Sequence, residues 1–177
     1  YIKFILGLTN QVIAISHYWK EFFVNHIGVG ESSISVVYNG YEQSLFFPME
    51  TKECRKILNL PLDKKIIITV GNLLDEKGHK YLIEAMAQIL VHRKDVICII
   101  IGEGKSRSKL ESQSKTLNLN DHVMILGKKS HEDIPLWLNA SDIFVLPSLV
   151  EGNPTVMSEC LATGLPFIGT KVGAVPE

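Results

Sequence analysis

The stretch DIFVLPSLVEGNPTVMSE, residues 142–159, predicts a strand, a short loop and the start of a helix, in that order. The apolar run at its beginning is typical of a buried strand, which we expect to end at Pro147. The helix is predicted to have Asn153 as its N-cap and Pro154 at its first helical position, where the absent proline N–H costs nothing. The free amides of such a first turn, together with the helix dipole, form an anion site.

Two carboxylates flank the start of this predicted helix. Glu151 precedes it, and Glu159 lies about a turn and a half inside it. Phosphate oxygens on the amides and hydroxyl groups on the two carboxylates would suit a nucleotide sugar, which carries both kinds of group. An acid near a helix start is also common because it suits the dipole, so Glu151 by itself favours a structural interpretation.

Upstream of this stretch, apolar strands alternate with helices. The strands are predicted at 65–71, 96–101, 123–126, 142–146 and 166–169, and the helices at 79–92, at 105–118, in a short segment ending near 140, and from 153. This alternation predicts an α/β fold, a Rossmann-like parallel sheet with helices on both faces. Because ligands of such sheets bind beyond the carboxyl ends of the strands, the chemistry is expected there.

The first third of the chain is less regular. A short strand at 11–15 is followed by a helix from Ser16, which Gly28 ends, and a second strand at 34–38 is followed by a turn predicted at Asn39 and Gly40. A further short helix is expected at 51–59.

We therefore divide the chain into two domains. Residues 1–45 are the end of one domain and a linker, and residues 46–177 are a second domain, truncated at its C-terminus. The chain starts with Tyr1 and ends a few residues after a predicted strand, so we expect it to be part of a longer protein. The opening residues 1–8 are too short to span a membrane and lack the layout of a signal peptide.

Composition excludes several classes of protein. With 46% hydrophobic and 21% charged residues the chain is globular, and a net charge of −1 without a long basic run gives no reason to expect a nucleic-acid partner.

Cys54, Cys98 and Cys160 are far apart in apolar surroundings, which favours small buried side chains in a reducing compartment. No histidine pair has metal-ligand spacing, so no metal site is assigned.

Polar residues follow the predicted strands. Gly71 and Gly78 bracket a loop with Asn72 and Lys77, and a lysine there can reach a phosphate at the sheet edge, although a solvated loop lysine is the commoner case.

The next two strand ends are less informative. The sequence at 102–104 is Gly-Glu-Gly with Arg107 three residues later, which argues against a dinucleotide fingerprint. The third strand is followed by Gly127 and Lys128, where a backbone edge could read a base, and His131 is interpreted as a surface residue at a helix start.

Together these segments resemble the donor-binding domain of the retaining glycosyltransferases of family 4, the group 1 glycosyltransferases. The likeness lies in VGNLLDEKGHKYLIEA, VICIIIGEG, HVMILGKKSHEDIPLWLNASDIFVLPS and EGNPTVMSECLATGLPFIGTKVGAVPE, and in ISVVYNGYEQSLFFP and QVIAISHYWKEFF, which resemble the family's linker and the end of its acceptor-side domain. It covers nearly the whole chain. The resemblance implies the GT-B fold, two Rossmann-like domains that face a cleft.

The resemblance also implies a role for each matching residue. Glu151 would contact hydroxyls of the donor sugar near the reacting centre, Glu159 would hold the ribose hydroxyls, and Lys77 would neutralise the diphosphate, with Glu151 and Lys77 as the catalytic pair. The remaining donor-binding residues would be Gly71, Asn72, Gly127, Lys128, Gly152, Asn153, Pro154 and Thr155. Transfer would retain the anomeric configuration and use neither a metal nor another cofactor.

The sequence departs from the family pattern at two places. Asn72 stands where the family usually has an arginine that clamps the diphosphate, and Lys128 or Lys171 could replace the charge. Losing one charge-assisted contact costs about 1.5–3 kcal/mol, which is roughly tenfold to a hundredfold in rate. Asn153 and Pro154 stand where many members have an aromatic residue and glycine, which leaves the sugar open.

The expected partners are a UDP- or GDP-sugar donor and an unidentified acceptor, a glycan or a lipid-linked saccharide. The resemblance places the protein in the cytoplasm, with peripheral membrane contact through the acceptor-side domain as an open alternative. Other functions compatible with the fold are a non-catalytic nucleotide-sugar-binding domain, which Asn72 allows, and a nucleotide-sugar 2-epimerase, which the pair of Glu151 and Glu159 with the Lys77 loop disfavours. A glycoside hydrolase is disfavoured because its two carboxyl groups must flank a single bond.

Overall fold

The computed structural model of the protein describes residues 9–177. The segment 1–8, for which no membrane span and no signal peptide were predicted, lies outside the described residues. The described chain forms two compact units, which we call the N-terminal unit (residues 9–40, 150–155 and 171–177) and the sheet unit (residues 41–149 and 156–170). The assignment of domains 1–45 and 46–177 to the acceptor and donor sides of an enzyme stays a prediction.

The N-terminal unit contains a pair of short parallel strands, β1 (Val12–Ala14) and β2 (Ile34–Val36), and a helix, α1 (His17–Phe22). Ser16 caps α1 as predicted, since its hydroxyl accepts a hydrogen bond from the Trp19 amide at 3.2 Å. A π-helical turn, Phe23–Ile27, continues the helix, and Gly28 ends it in the left-handed conformation.

The turn predicted at Asn39 and Gly40 is wrong. Residues 37–42 contain no turn, and the chain turns at 43–45 instead. Asn39 uses its side chain for a long-range bond, because its Nδ2 donates to the carbonyl of Asn153 at 2.9 Å. A residue type that favours turns is here committed to a distant part of the same unit.

The sheet unit alternates strands and helices as predicted. Within the described residues its parallel sheet has five strands in the order β5-β4-β3-β6-β7. The strands are β3 (Lys65–Val70), β4 (Val96–Ile101), β5 (Val123–Gly127), β6 (Ile143–Leu146) and β7 (Phe167–Gly169). This arrangement confirms the Rossmann-like fold class.

The helices of the chain after α1 also follow the predicted order: α2 (Thr51–Ile57), α3 (His79–His92), α4 (Arg107–Thr116), α5 (Ile134–Asn139) and α6 (Thr155–Ala162). Helix α6 begins one residue later than predicted, so that Pro154 precedes it instead of opening it. Within residues 9–177, none of the helices has both the length and the apolar character needed to cross a bilayer.

The core of the sheet unit lies around β4, in which all six residues are buried. Helix α3 covers one face of the sheet with Leu82, Ile83, Met86 and Leu90, whose spacing matches the helical period. Each such side chain contributes about 1.5–3 kcal/mol when fully buried. The strands are therefore fixed by packing, and the loops at their carboxyl ends start from a rigid base.

An ion pair ties α2 to the sheet. Arg55 is 5% exposed and bonds the Asp142 carboxylate through Nη2 at 2.6 Å, while its Nε donates to the Ala140 carbonyl at 2.8 Å. Asp142 also accepts from the Ile66 amide at 2.7 Å and from Lys65 Nζ at 2.9 Å. Desolvation raises the pKa of Asp142, but these bonds outweigh it and hold the pKa below its ordinary value.

The strand order reverses next to β3, which has β4 on one side and β6 on the other. In sheets of this type the crevice at such a switch point, beyond the strand carboxyl ends, is where ligands bind. The two loops that start there meet. A Cβ on Gly78, in the loop after β3, would lie 1.9 Å from the carbonyl oxygen of Pro147, which follows β6.

Replacing Gly78 with alanine is expected to destabilise the sheet unit by at least about 2 kcal/mol, because φ at this residue is +67° and the added carbon would overlap the Pro147 carbonyl. Urea unfolding of both proteins measures the difference. The control is Gly71→Ala in the same loop, where no atom beyond the adjacent residues lies within 4 Å of the new carbon and stability should change little. Equal stability of Gly78→Ala and Gly71→Ala would contradict the loop contact.

Arg55→Met is expected to destabilise the protein by about 3 kcal/mol, because it leaves the Asp142 carboxylate without its buried partner. Lys65→Met is the matched control, since Lys65 bonds the same carboxylate from a side chain that is 59% exposed. An exposed partner contributes less than about 1 kcal/mol. A control that loses as much stability as Arg55→Met would mean that burial does not determine the strength of this pair.

Candidate functional site

The loop after β3 carries three of the predicted site residues, Gly71, Asn72 and Lys77, and it is fixed along its length. Its start is bonded to the neighbouring strand end, since the Gly71 amide donates to the Ile101 carbonyl at 2.9 Å. Its far end is bonded to the loop after β6, since the Leu149 amide donates to the Glu76 carbonyl at 2.7 Å. Lys77 thus ends a short 3-10 turn held at the switch point of the sheet.

The glycines at 102 and 104 support this loop. A Cβ on Gly102 would lie 1.8 Å from the Gly71 carbonyl oxygen, and one on Gly104 would lie 2.3 Å from the Leu73 carbonyl oxygen. The Leu73 amide also donates to the Glu103 carbonyl at 2.8 Å. The Gly-x-Gly sequence, which lacks the full dinucleotide fingerprint, therefore has a packing role: it lets two backbone segments approach closely.

His79, the first residue of α3, holds the backbone of Asn72. Its Nε2 lies 3.3 Å from the Asn72 carbonyl oxygen, and the residue is only 3% exposed. Burial lowers the pKa of the His79 imidazole, and Lys77 lowers it further against the opposing effect of the Asn72 bond. A neutral ring that donates from Nε2 leaves Nδ1 as an acceptor, and this buried atom has no partner within residues 9–177.

Glu159 and His131 form a pair that the sequence did not predict. Strand β5 ends at Gly127, a 3-10 turn at His131–Asp133 follows, and His131 Nε2 lies 3.0 Å from Glu159 Oε1. The prediction that His131 lies at the surface is confirmed, because the residue is exposed. The prediction did not include its contact with Glu159. Its position just beyond a strand end, where ligands of parallel sheets bind, was the signal in the sequence.

The segment 150–155 belongs to the N-terminal unit and is fixed there by its backbone and by Asn153. Asn153 Nδ2 donates to the Ile15 carbonyl, just after β1, at 2.9 Å. The Ala174 amide donates to the Gly152 carbonyl at 3.1 Å, so residues 171–177 brace the same segment. Glu151, 6% exposed, is therefore presented by a backbone with several anchors inside one unit.

Gly152 lies against α1. A Cβ on it would be 3.2 Å from Ile15 Cδ1 and 3.5 Å from Trp19 Nε1. The Trp19 Nε1 is buried and has no hydrogen-bond partner in the described part of the chain. The close packing explains why the residue after Glu151 is small.

The carboxylate of Glu177 satisfies the first turn of α1. It accepts from the amides of His17 at 2.9 Å and Tyr18 at 2.7 Å, and from the Tyr38 hydroxyl at 2.8 Å. Desolvation acts to raise the pKa of Glu177, but these hydrogen bonds lower it overall. The sequence carries no local signal for this contact, because the residues are far apart in the chain.

The predicted site residues fall in both units. The sheet unit holds Gly71, Asn72, Lys77, Gly127, Lys128 and Glu159, and the N-terminal unit holds Glu151, Gly152, Asn153, Pro154, Thr155 and Lys171. Asn72, Lys128 and Lys171 are exposed, whereas Glu151, Asn153 and Glu159 are buried. Buried acids are uncommon unless they are paired or functional, so the burial of Glu151 and Glu159 is compatible with the predicted roles, which stay predictions.

The parallel five-stranded sheet flanked by helices defines an α/β domain of the kind that forms one half of a GT-B fold. Over residues 50–177 the sequence matches the family described as glycosyl transferases group 1. The chain belongs to this family, as its motifs predicted.

Two curated relatives illustrate the similarity. The chain is 34% identical over 169 residues to a UDP-Gal:alpha-D-GlcNAc-diphosphoundecaprenol alpha-1,3-galactosyltransferase of Escherichia coli, with coverage of 93% of this chain and 43% of the relative. It is 34% identical over 172 residues to a putative teichuronic acid biosynthesis glycosyltransferase, TuaC, of Bacillus subtilis, with coverage of 96% and 41%. The chain therefore spans less than half the length of these relatives.

Solved structures give the same result for the fold. A sucrose-phosphate synthase from Thermosynechococcus elongatus superimposes with a TM-score of 0.88 at 28% identity, covering 97% of this chain and 43% of that chain. The C-terminal domain of a glycosyl transferase group 1 family protein (LpcC) from Francisella tularensis matches with a TM-score of 0.67 at 29% identity, covering 78% and 74%.

Proposed function

We propose that the protein transfers a sugar from a nucleoside-diphosphate sugar to an acceptor, and that this chain is the donor-binding half. The observation that carries the proposal is the fixed loop with Lys77 at the switch point of the sheet, where Gly78 meets Pro147. The backbone contacts fix the residue from which the Lys77 side chain extends, and a cation at this strand end suits a diphosphate. Membership of the group 1 glycosyltransferases supports the same chemistry.

The proposed reaction depends on stabilising the leaving group. As the glycosidic bond to the diphosphate breaks, negative charge develops on the phosphate oxygens. Lys77 and the free amides at the start of α6 would neutralise this charge, so no metal ion is needed for that task. Glu159 would hold the ribose hydroxyls, Glu151 would contact the sugar hydroxyls, and the product would retain the anomeric configuration.

The donor is proposed to be a UDP- or GDP-sugar, with UDP as the first to test because the Escherichia coli relative is named for UDP-Gal. The acceptor is proposed to be a glycan or a lipid-linked saccharide, since the same relative is named for a diphosphoundecaprenol acceptor. A lipid-linked acceptor would bring the protein to the cytoplasmic face of a membrane through its acceptor-side domain.

A second candidate function follows from Asn72. The amide side chain supplies no charge where related sequences usually have arginine, so the domain could bind a nucleotide sugar without transferring it. Binding with turnover in the full-length protein favours the transferase, and binding without turnover favours this alternative. The turnover assay includes a chelator, because the proposed reaction should continue when divalent cations are removed.

Calorimetric titration with UDP, UMP and GDP tests the donor site directly. Lys77→Ala should weaken UDP binding by about tenfold but change UMP binding less, because the second phosphate provides the additional charge for the lysine. Glu159→Ala should weaken UDP and UMP alike through the ribose. Lys94→Ala, a change at an exposed lysine outside the predicted site, is the control and should bind as the wild type does. A wild type that binds neither UDP nor GDP would contradict the proposed function.

Asn72→Arg is expected to raise the affinity for UDP by roughly tenfold or more, because it adds a cation to the diphosphate site. The side chain is exposed and the backbone is held through its carbonyl, so the change should not disturb the loop. Asn72→Gln is the neutral control of similar length. If both variants bind UDP as the wild type does, the diphosphate is already neutralised, and Lys128→Ala and Lys171→Ala will identify the residue responsible.

A further inference from the structure

Glu159 has a defined partner on another element of the sheet unit. We infer that His131 is a positioning residue, which orients the Glu159 carboxylate so that it accepts hydrogen bonds from the ribose hydroxyls of the donor nucleotide. The inference rests on the proposed function and deepens it, since it adds a residue to which the family resemblance assigned no role.

The burial of Glu159 makes a partner necessary. The residue lies in α6, is 8% exposed, and its carboxylate contacts His131 at 3.0 Å. A buried carboxylate that lacks partners is strongly unfavourable, and one with a single flexible partner would not keep a fixed orientation. A hydrogen bond from a ring on a separate element restricts the rotation of the carboxylate.

His131 is itself held in place. It begins the 3-10 turn after β5, and the ring of Phe46 lies against it with the ring centroids 5.1 Å apart. Phe46 is 1% exposed, and its amide donates to the Glu42 carbonyl at 3.0 Å. The imidazole therefore has a fixed support behind it, so that it can act on Glu159 as a rigid donor.

The geometry leaves capacity for a ligand. The bond to Glu159 requires hydrogen on His131 Nε2, and it engages Oε1 of the carboxylate. A carboxylate has two oxygens and about four lone-pair sites, so acceptor positions remain. Two neighbouring hydroxyl groups that donate to one carboxylate match the cis-diol of a ribose. Half of the His131 side chain is exposed, which leaves the pair accessible to solvent.

This arrangement differs from an ordinary surface ion pair. Pairs between exposed side chains usually have little effect, because water screens them and both side chains lose freedom. Here one partner is nearly buried, with its side chain 10% exposed, and the other is backed by a buried aromatic ring. Loss of the histidine should therefore lower stability and also alter how Glu159 binds its ligand, and only the second effect depends on whether the ligand carries ribose hydroxyls.

The test compares UDP with 2′,3′-dideoxy-UDP by calorimetric titration of the wild type and of His131 variants. We expect the wild type to prefer UDP by about tenfold, because the dideoxy compound lacks the donors for Glu159. His131→Phe keeps an aromatic ring against Phe46 but removes the donor, and should reduce this preference to about threefold or less. Affinity for the dideoxy compound should stay within about twofold, since it makes no use of the carboxylate.

Two further variants separate positioning from a structural effect. His131→Gln places an amide nitrogen where Nε2 was and should restore most of the preference for UDP. In a Glu159→Ala background, His131→Phe should have no further effect on the preference, because the residue through which it acts is gone. Thermal melting of each protein checks folding, and His131→Asn replaces His131→Phe if the latter does not fold.

The outcomes are distinct. Equal weakening of UDP and dideoxy-UDP by His131→Phe, or no change in either, overturns the inference while the proposed function stands. The same follows if His131→Phe alters the preference equally with and without Glu159. A wild type that binds neither UDP nor GDP overturns the proposed function itself. If GDP binds more tightly than UDP, GDP and 2′,3′-dideoxy-GDP are compared in the same way.

Discussion

The close approach of the Gly78 backbone to the Pro147 carbonyl is the constraint on which the candidate site depends. The position of a Cβ at residue 78 would be 1.9 Å from that oxygen, so only glycine allows the two loops to meet. The bond from the Leu149 amide to the Glu76 carbonyl holds them together at 2.7 Å. As a result, the backbone at Lys77 is held in place, so its side chain starts from a better defined position than it would on a loop without these contacts.

The rigidity of these loops comes from the sheet beneath them. Strand β4 is buried along its whole length, and Arg55 bonds Asp142 just before β6, so the strands next to the switch point have little freedom. Loops that begin at fixed strand ends and are bonded to one another need little reordering when a ligand arrives. Pre-ordering of this kind reduces the entropic cost of binding.

The sequence predicted the elements of the sheet unit well, because their signals are local. The β-branched runs and the helical spacing of apolar residues gave β4 and α3 with the same ends as the structure. Asn39, Asn153 and His131 were predicted less well, because each makes its main contact with a residue distant in the sequence. Local preferences indicate what a residue can do, whereas a long-range hydrogen bond decides which of those options is used.

In the loop around Asn72, the shape of the backbone does not depend on the charge of the side chain at this position. His79 bonds the Asn72 carbonyl, and Gly102 packs on Gly71, so neither contact involves the Asn72 side chain. The backbone can therefore keep the same shape whether the side chain is asparagine or the arginine usual in the family. Under the proposed function, the departure at this position should change the strength with which a diphosphate is held, and not the place where it lies.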